Sequence, residues 1–92
     1  MEISKDDLAA TVGYLDDFVA TRRGVEVWVE EPTNFNRPSI VLIAYDGEWT
    51  RRVVPSTRWG HQFAEERQLA SYDAGVVSYP QRMRDWNRRS KG

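Results

Sequence analysis

Cysteine is absent from this 92-residue chain. Its absence excludes disulfides, thiolate nucleophiles, dithiol redox cycles and cysteine-built zinc or iron–sulfur sites. Histidine occurs once, at His61. A metal there would need carboxylate help from Glu65, one helical turn on, and from acids elsewhere in the chain. No apolar run approaches the roughly 20 residues that span a bilayer. The opening Met-Glu-Ile-Ser-Lys-Asp-Asp lacks the basic start and apolar centre of a signal peptide. A cytoplasmic protein without a membrane partner is therefore expected. There is no Gly-x-Gly-x-x-Gly, and the chain is too short for a doubly wound dinucleotide fold, so no cofactor is expected. Lysine is scarce, two against eleven arginines. A GC-rich coding genome would produce that bias, and so would selection for carboxylate and phosphate forks.

What is present describes one small globular domain. The chain is 40% apolar and 29% charged, which fits a packed core and not a disordered segment. The charge is polarised end to end. Glu2, Asp6, Asp7, Asp16 and Asp17 face only Lys5 in the first twenty residues, whereas residues 79–92 carry Arg82, Arg84, Arg88, Arg89 and Lys91 against Asp85. The formal total is still only −1.

Periodicity assigns the elements. Leu8, Val12, Leu15 and Val19, widened by Ala9 and Phe18, predict an amphipathic helix over residues 4–21, capped by Ser4 and stopped by Gly24. Gly13 weakens it by about 1 kcal/mol relative to alanine. The alternating 25–30 segment predicts a strand with its valines inward. The Pro32–Pro38 stretch is a loop, and Ile40–Tyr45 is apolar on both faces, the pattern of a covered central strand. Asp46-Gly47 predicts a two-residue hairpin turn that pairs Tyr45 with Glu48 and Leu42 with Arg51. A second helix is expected from Ser56 or Thr57 to about Leu69, with Trp59 and Phe63 inward. A short strand over 72–79 and a third helix from Pro80 complete the chain. The expected fold class is α+β, in the order α-β-β-β-α-β-α, with a largely antiparallel sheet. Residues 1–87 form the domain, and 88–92 form a basic C-terminal tail that frays.

Thr21-Arg22-Arg23-Gly24-Val25-Glu26, Asp46-Gly47-Glu48-Trp49-Thr50-Arg51-Arg52 and Tyr79-Pro80-Gln81-Arg82-Met83-Arg84-Asp85-Trp86 together resemble the signature segments of a known family. It consists of small, single-domain actinobacterial proteins of uncharacterised function, some labelled simply oxidoreductase. The resemblance covers most of the chain. Residues 58–73 depart from it, because relatives tend to show a basic helix end, a glycine and a proline-containing strand there. The family implies no catalytic residues to carry over, and the absences above give its oxidoreductase label no support.

The remaining function classes separate by residue type. Ser56, Ser71 and Ser78 lack an elbow motif, and His61 lacks an obvious orienting acid, so nucleophilic catalysis is not expected. The element order is that of a restriction-endonuclease-like core, with Asp46 ending one strand and Glu48 starting the next. The lysine of the Glu-x-Lys pattern is missing, leaving a degenerate nuclease as a minor reading. The order α-β-β-β-α also matches a double-stranded RNA-binding domain, but the second helix sets Arg58 and Arg67 against Glu65 and Glu66 and is not basic. The C-terminal segment could still bind nucleic acid through its arginines with Trp86 and Tyr79. The plainer reading is that those arginines pair with the acids of the first helix while Met83 and Trp86 bury. Trp86→Ala would then cost about 3–5 kcal/mol.

Four tryptophans and four tyrosines are many for so small a core, which favours contact with another protein. Trp28, lying between Glu26 and Glu30, either meets a partner or covers the sheet's second face. The expectation is a non-enzymatic interaction or accessory domain, with a protein partner or a second copy as a homodimer. The candidate interaction residues are Trp28, Arg82, Arg84, Arg88 and Arg89. Nucleic-acid association is the alternative.

Overall fold

The computed structural model describes residues 3–90. Ser4 caps helix α1 (Lys5–Thr21) by accepting the Asp7 N–H at 3.1 Å. Strands β1 (Glu26–Glu30), β2 (Ser39–Ile43) and β3 (Trp49–Val53) follow. Ser56 caps helix α2 (Thr57–Glu66), which leads into strand β4 (Ser71–Asp73) and helix α3 (Gln81–Ser90). The sheet order is β3-β2-β1-β4, antiparallel except for the parallel β1–β4 pair. The expected α+β class and element order hold. Among the described residues no helix is long and apolar enough to cross a membrane.

Three local expectations change, each for a stated reason. Asp46-Gly47 is not a two-residue turn. Among the described residues Gln68 is the one non-glycine at positive φ, so Asp46 cannot take the left-handed conformation such a turn requires. Instead Ala44 accepts the Gly47 N–H, Gly47 sits at φ +95°, and Ala44 donates to Glu48 O, a type I turn closed by a glycine bulge. Ile43 therefore faces Trp49, and Val41 faces Arg51. A one-residue slip turns every β3 side chain over. It takes Arg51 off the Leu42 side, where it would enter the dry core.

The fourth strand is three residues long, not eight. After Asp73 the chain turns back, with Val76 and Val77 N–H groups both on Asp73 O, which leaves Val76 in solvent. Helix α2 ends at Glu66, short of Leu69. Gln68 at φ +59°, with Gln68 N–H on Glu65 O and Leu69 N–H on Ala64 O, closes it in a Schellman motif that usually employs glycine.

Helices α1 and α2 cover one face of the sheet. Leu15 and Phe18 meet Val27, Val29, Ile40, Leu42 and Phe63 there, all buried. Gly60 lets α2 close onto the strands, since a Cβ there would lie 2.6 Å from Ile40 Cγ2. Helix α3 covers the opposite face, where Trp28, Val41 and Ile43 are buried beneath Tyr72, Tyr79 and Met83. Trp86 is half-buried and no α3 residue is fully buried, contrary to the expectation of a buried Trp86. Because α1 and α3 lie on opposite faces, the α3 arginines do not pair with the acids of α1. Arg67, the C-cap of α2, holds Asp16 instead, and Arg82 of α3 holds Glu26. Arg88 and Arg89 continue the helix, while Lys91 at the end of the expected tail lies outside the described residues.

Candidate functional site

The outward positions of β1 place Glu26, Trp28 and Glu30 on the α3 face. Glu26 accepts the Tyr72 hydroxyl and Arg82 Nη2, both at 2.6 Å. The Tyr72 hydrogen bond, opposed by partial burial and aided by Arg82, holds the Glu26 carboxyl below its ordinary range. Glu30 accepts Ser39 Oγ at 2.5 Å, Arg51 Nε at 2.6 Å and the Tyr79 hydroxyl. Burial acts to raise the Glu30 carboxyl, but these three donors and the Arg51 charge outweigh it and lower it. Burial and the Glu30 hydrogen bond in turn push the Tyr79 phenol up, so it stays protonated as a donor.

This network consumes two of the candidate interaction residues. Trp28 is 3% exposed, lies 4.7 Å from Tyr72 between ring centroids, and donates its indole N–H to Val77 O. It is the cover for the sheet's second face. Arg82 spends its guanidinium on Glu26 and Ala44 O. Arg84, Arg88 and Arg89 remain exposed. Arg84 donates to Gln81 Oε1, Arg88 lies 3.5 Å from Asp85, and Arg89 donates to Asp46 O. The segments 21–26, 46–52 and 79–86 meet at this end. Arg22 pairs with Glu48 at 2.6 Å, and a Cβ on Gly47 would lie 1.9 Å from Arg82 O.

The two carboxylates of the nuclease reading are committed locally. Asp46 Oδ1 accepts the Glu48 N–H at 3.0 Å, and Glu48 pairs with Arg22 at 2.6 Å. Among the described residues no three or more histidines and acids gather as a metal-holding group.

Two features went unsingled in the sequence. The first is Phe35, 93% exposed at the tip of the Pro32–Pro38 loop. Thr33 Oγ1 accepts the N–H groups of Phe35 and Asn36, and Thr33 N–H donates to Asn36 O, so the loop holds its own shape. Beside it lies a groove of about 570 Å³ whose walls include Ile3, Leu8, Pro32, Pro38, Val53 and Pro55. An aromatic between paired prolines and asparagines was the available signal. The second is a line of Ser71, His61 and Asp73, in which His61 Nδ1 lies 2.7 Å from Ser71 Oγ and Nε2 lies 2.8 Å from Asp73 Oδ1. The expectation that His61 has no orienting acid is thus overturned. The misplaced start of β4 hid this arrangement, because Ser71 and Asp73 share a face only once both belong to the strand.

No protein-family model matches this chain, and no curated protein or solved structure matches it.

Proposed function

We propose that this is a cytoplasmic protein-interaction or accessory domain that acts by contact, and that its contact surface is the Phe35 end of the sheet. The observation that carries the reading is Phe35 itself, a large aromatic held in water by a loop that its own hydrogen bonds order. Ordering an exposed aromatic in advance lowers the entropic cost of binding and supplies an anchor of the hot-spot type. The occupant that fits is a second copy of the chain. Phe35 projects beside an apolar groove on its own molecule, so a two-fold axis can seat each Phe35 in the other's groove. Charge supports the same pairing. Arg37 lines the groove, and Asp6 and Asp7 stand in the first turn of α1 next to Leu8 of its wall, so each copy offers both signs at this end.

Sedimentation over a wide dilution series tests this. A dimer is expected for the native chain and a folded monomer for Phe35→Asp, its secondary structure unchanged by circular dichroism. A native chain that stays monomeric throughout overturns self-association.

A second reading, nucleic-acid association, rests on the exposure of Arg84, Arg88 and Arg89 along α3. It demands retention of DNA or RNA in a low-salt gel shift, weakening steeply with salt and lost when these arginines become glutamate. The same assay with magnesium tests the degenerate-nuclease reading, which requires cleavage that Asp46→Ala and Glu48→Ala abolish.

A further inference from the structure

Ser71, His61 and Asp73 are brought together from two elements. Parallel pairing sets Ser71 opposite Val27 and Asp73 opposite Val29, so both side chains rise on the α1/α2 face of the sheet. His61, one turn into α2, reaches down between them. Asp73 as a carboxylate only accepts, so the tautomer that satisfies both contacts carries its proton on Nε2. Nδ1 is then the acceptor, and the Ser71 hydroxyl donates to it. The polarity of the line is that of a nucleophile, its base and the carboxylate that fixes the base's tautomer.

The backbone adds a donor. Val27 N–H bonds Ala70 O and Ala74 N–H bonds Val29 O, so the even positions of β4 face β1. The N–H groups of Ser71 and Asp73 therefore aim at the open edge, since β4 ends the sheet. Ser71 N–H sits beside its own Oγ, where an oxyanion would form. Access is open, because His61 and Asp73 side chains are 37% and 53% exposed and His61 borders a shallow depression shared with Arg58, Gln62 and Glu65.

We propose that Ser71 is an activated nucleophile for acyl transfer, with His61 as its general base, acting on unhindered carboxylic esters presented at the β4 edge. Ser71 Oγ bonds to the ester carbonyl carbon as its proton passes to His61 Nδ1. The bond from that carbon to the alcohol oxygen breaks, and the alcohol leaves with the proton. Water, deprotonated in the same way, cleaves the acyl–Ser71 ester to give the carboxylic acid and the free serine. Asp73 is a positioning residue that holds the proton on Nε2. The inference is independent of the contact surface at Phe35, which lies on a different loop.

The test uses the full chain with a fluorophosphonate probe, read by intact mass and peptide mapping, alongside hydrolysis of p-nitrophenyl acetate. One adduct on Ser71 is expected, absent in Ser71→Ala and retained in Ser78→Ala. His61→Gln should slow both labelling and hydrolysis about a hundredfold. Asp73→Asn should slow them too, and Asp73→Glu should recover part of the loss, with all variants melting alike. No adduct, an adduct elsewhere, or equal labelling of Ser71 in His61→Gln overturns the proposal.

Discussion

The two faces of the sheet are built on different physics. Under α1 and α2 the interface is dry, with Leu15, Val27, Val29, Ile40 and Leu42 fully buried around Phe63. Its strength is area removed from water, about 25 cal/mol per Å² of apolar surface. Under α3 the buried Trp28, Val41 and Ile43 are ringed by Tyr72 and Tyr79, whose hydroxyls end on Glu26 and Glu30. That face depends on charged hydrogen bonds that must all be made. Among the described residues no buried side-chain nitrogen or oxygen lacks a partner. Non-directional burial tolerates volume-conserving repacking, whereas each acceptor of the polar face has donors that its loss would leave unpaired.

The largest effect should come from the dry face. Phe63→Ala removes the ring that stacks on Trp59 at 5.5 Å and supports Arg67 at 3.8 Å, and should cost about 3–5 kcal/mol in urea denaturation. A loss near zero would mean that this face is not the principal core.

Glu30→Gln tests the polar face, with an expected cost of about 2 kcal/mol for weakened bonds from Ser39, Arg51 and Tyr79. It also carries a pH signature. Glu26 and Glu30 have lowered folded-state values, so their contribution is present above the unfolded carboxylate value of about 4.3 and fades as pH falls through the folded values. Tyr79 is raised, so its contribution is full below about 10 and fades as pH climbs higher. Melting temperature against pH should show both losses, and Glu30→Gln should flatten the acid one. An unchanged acid limb would break the contrast between the faces.

Trp86→Ala should cost about 1–2 kcal/mol, less than the 3–5 expected of a fully buried side chain, because the ring is only half-covered on the Gly47 turn. Thermal melts decide, and a loss of the larger size would make α3 as much a core helix as α2. The smallest effect has the opposite sign. Gln68→Gly relieves a left-handed residue at the end of α2 and should stabilise by about 1 kcal/mol.

How much was legible follows from the range of the interactions involved. The Leu8–Val19 stripe, the valines of β1 and the caps at Ser4 and Ser56 depend on neighbours within one turn or one alternation, and they were readable. The hairpin register was not. Asp46-Gly47 suits two turn types, and the choice fell to whether Arg51 met Glu30 or entered the Leu42 side. Val76 and Val77 read as strand because apolar pairs carry no signal of the turn that Asp73 O closes. Phe35 was visible as a residue, but its isolation in water was not.

The sequence by itself determined the element order and type, the absence of thiol chemistry, and which β1 positions point to opposite faces. These are consequences of composition and of periods 3.6 and 2, which need no distant partner. Tertiary structure alone decided that Trp28 is cover and not contact, that Arg67 and not an α3 arginine meets Asp16, and that His61 stands between Ser71 and Asp73. Each of those pairings spans ten or more positions of chain. Ion pairs and hydrogen bonds at such separations depend on which face each helix covers and on a register that one residue's slip would invert.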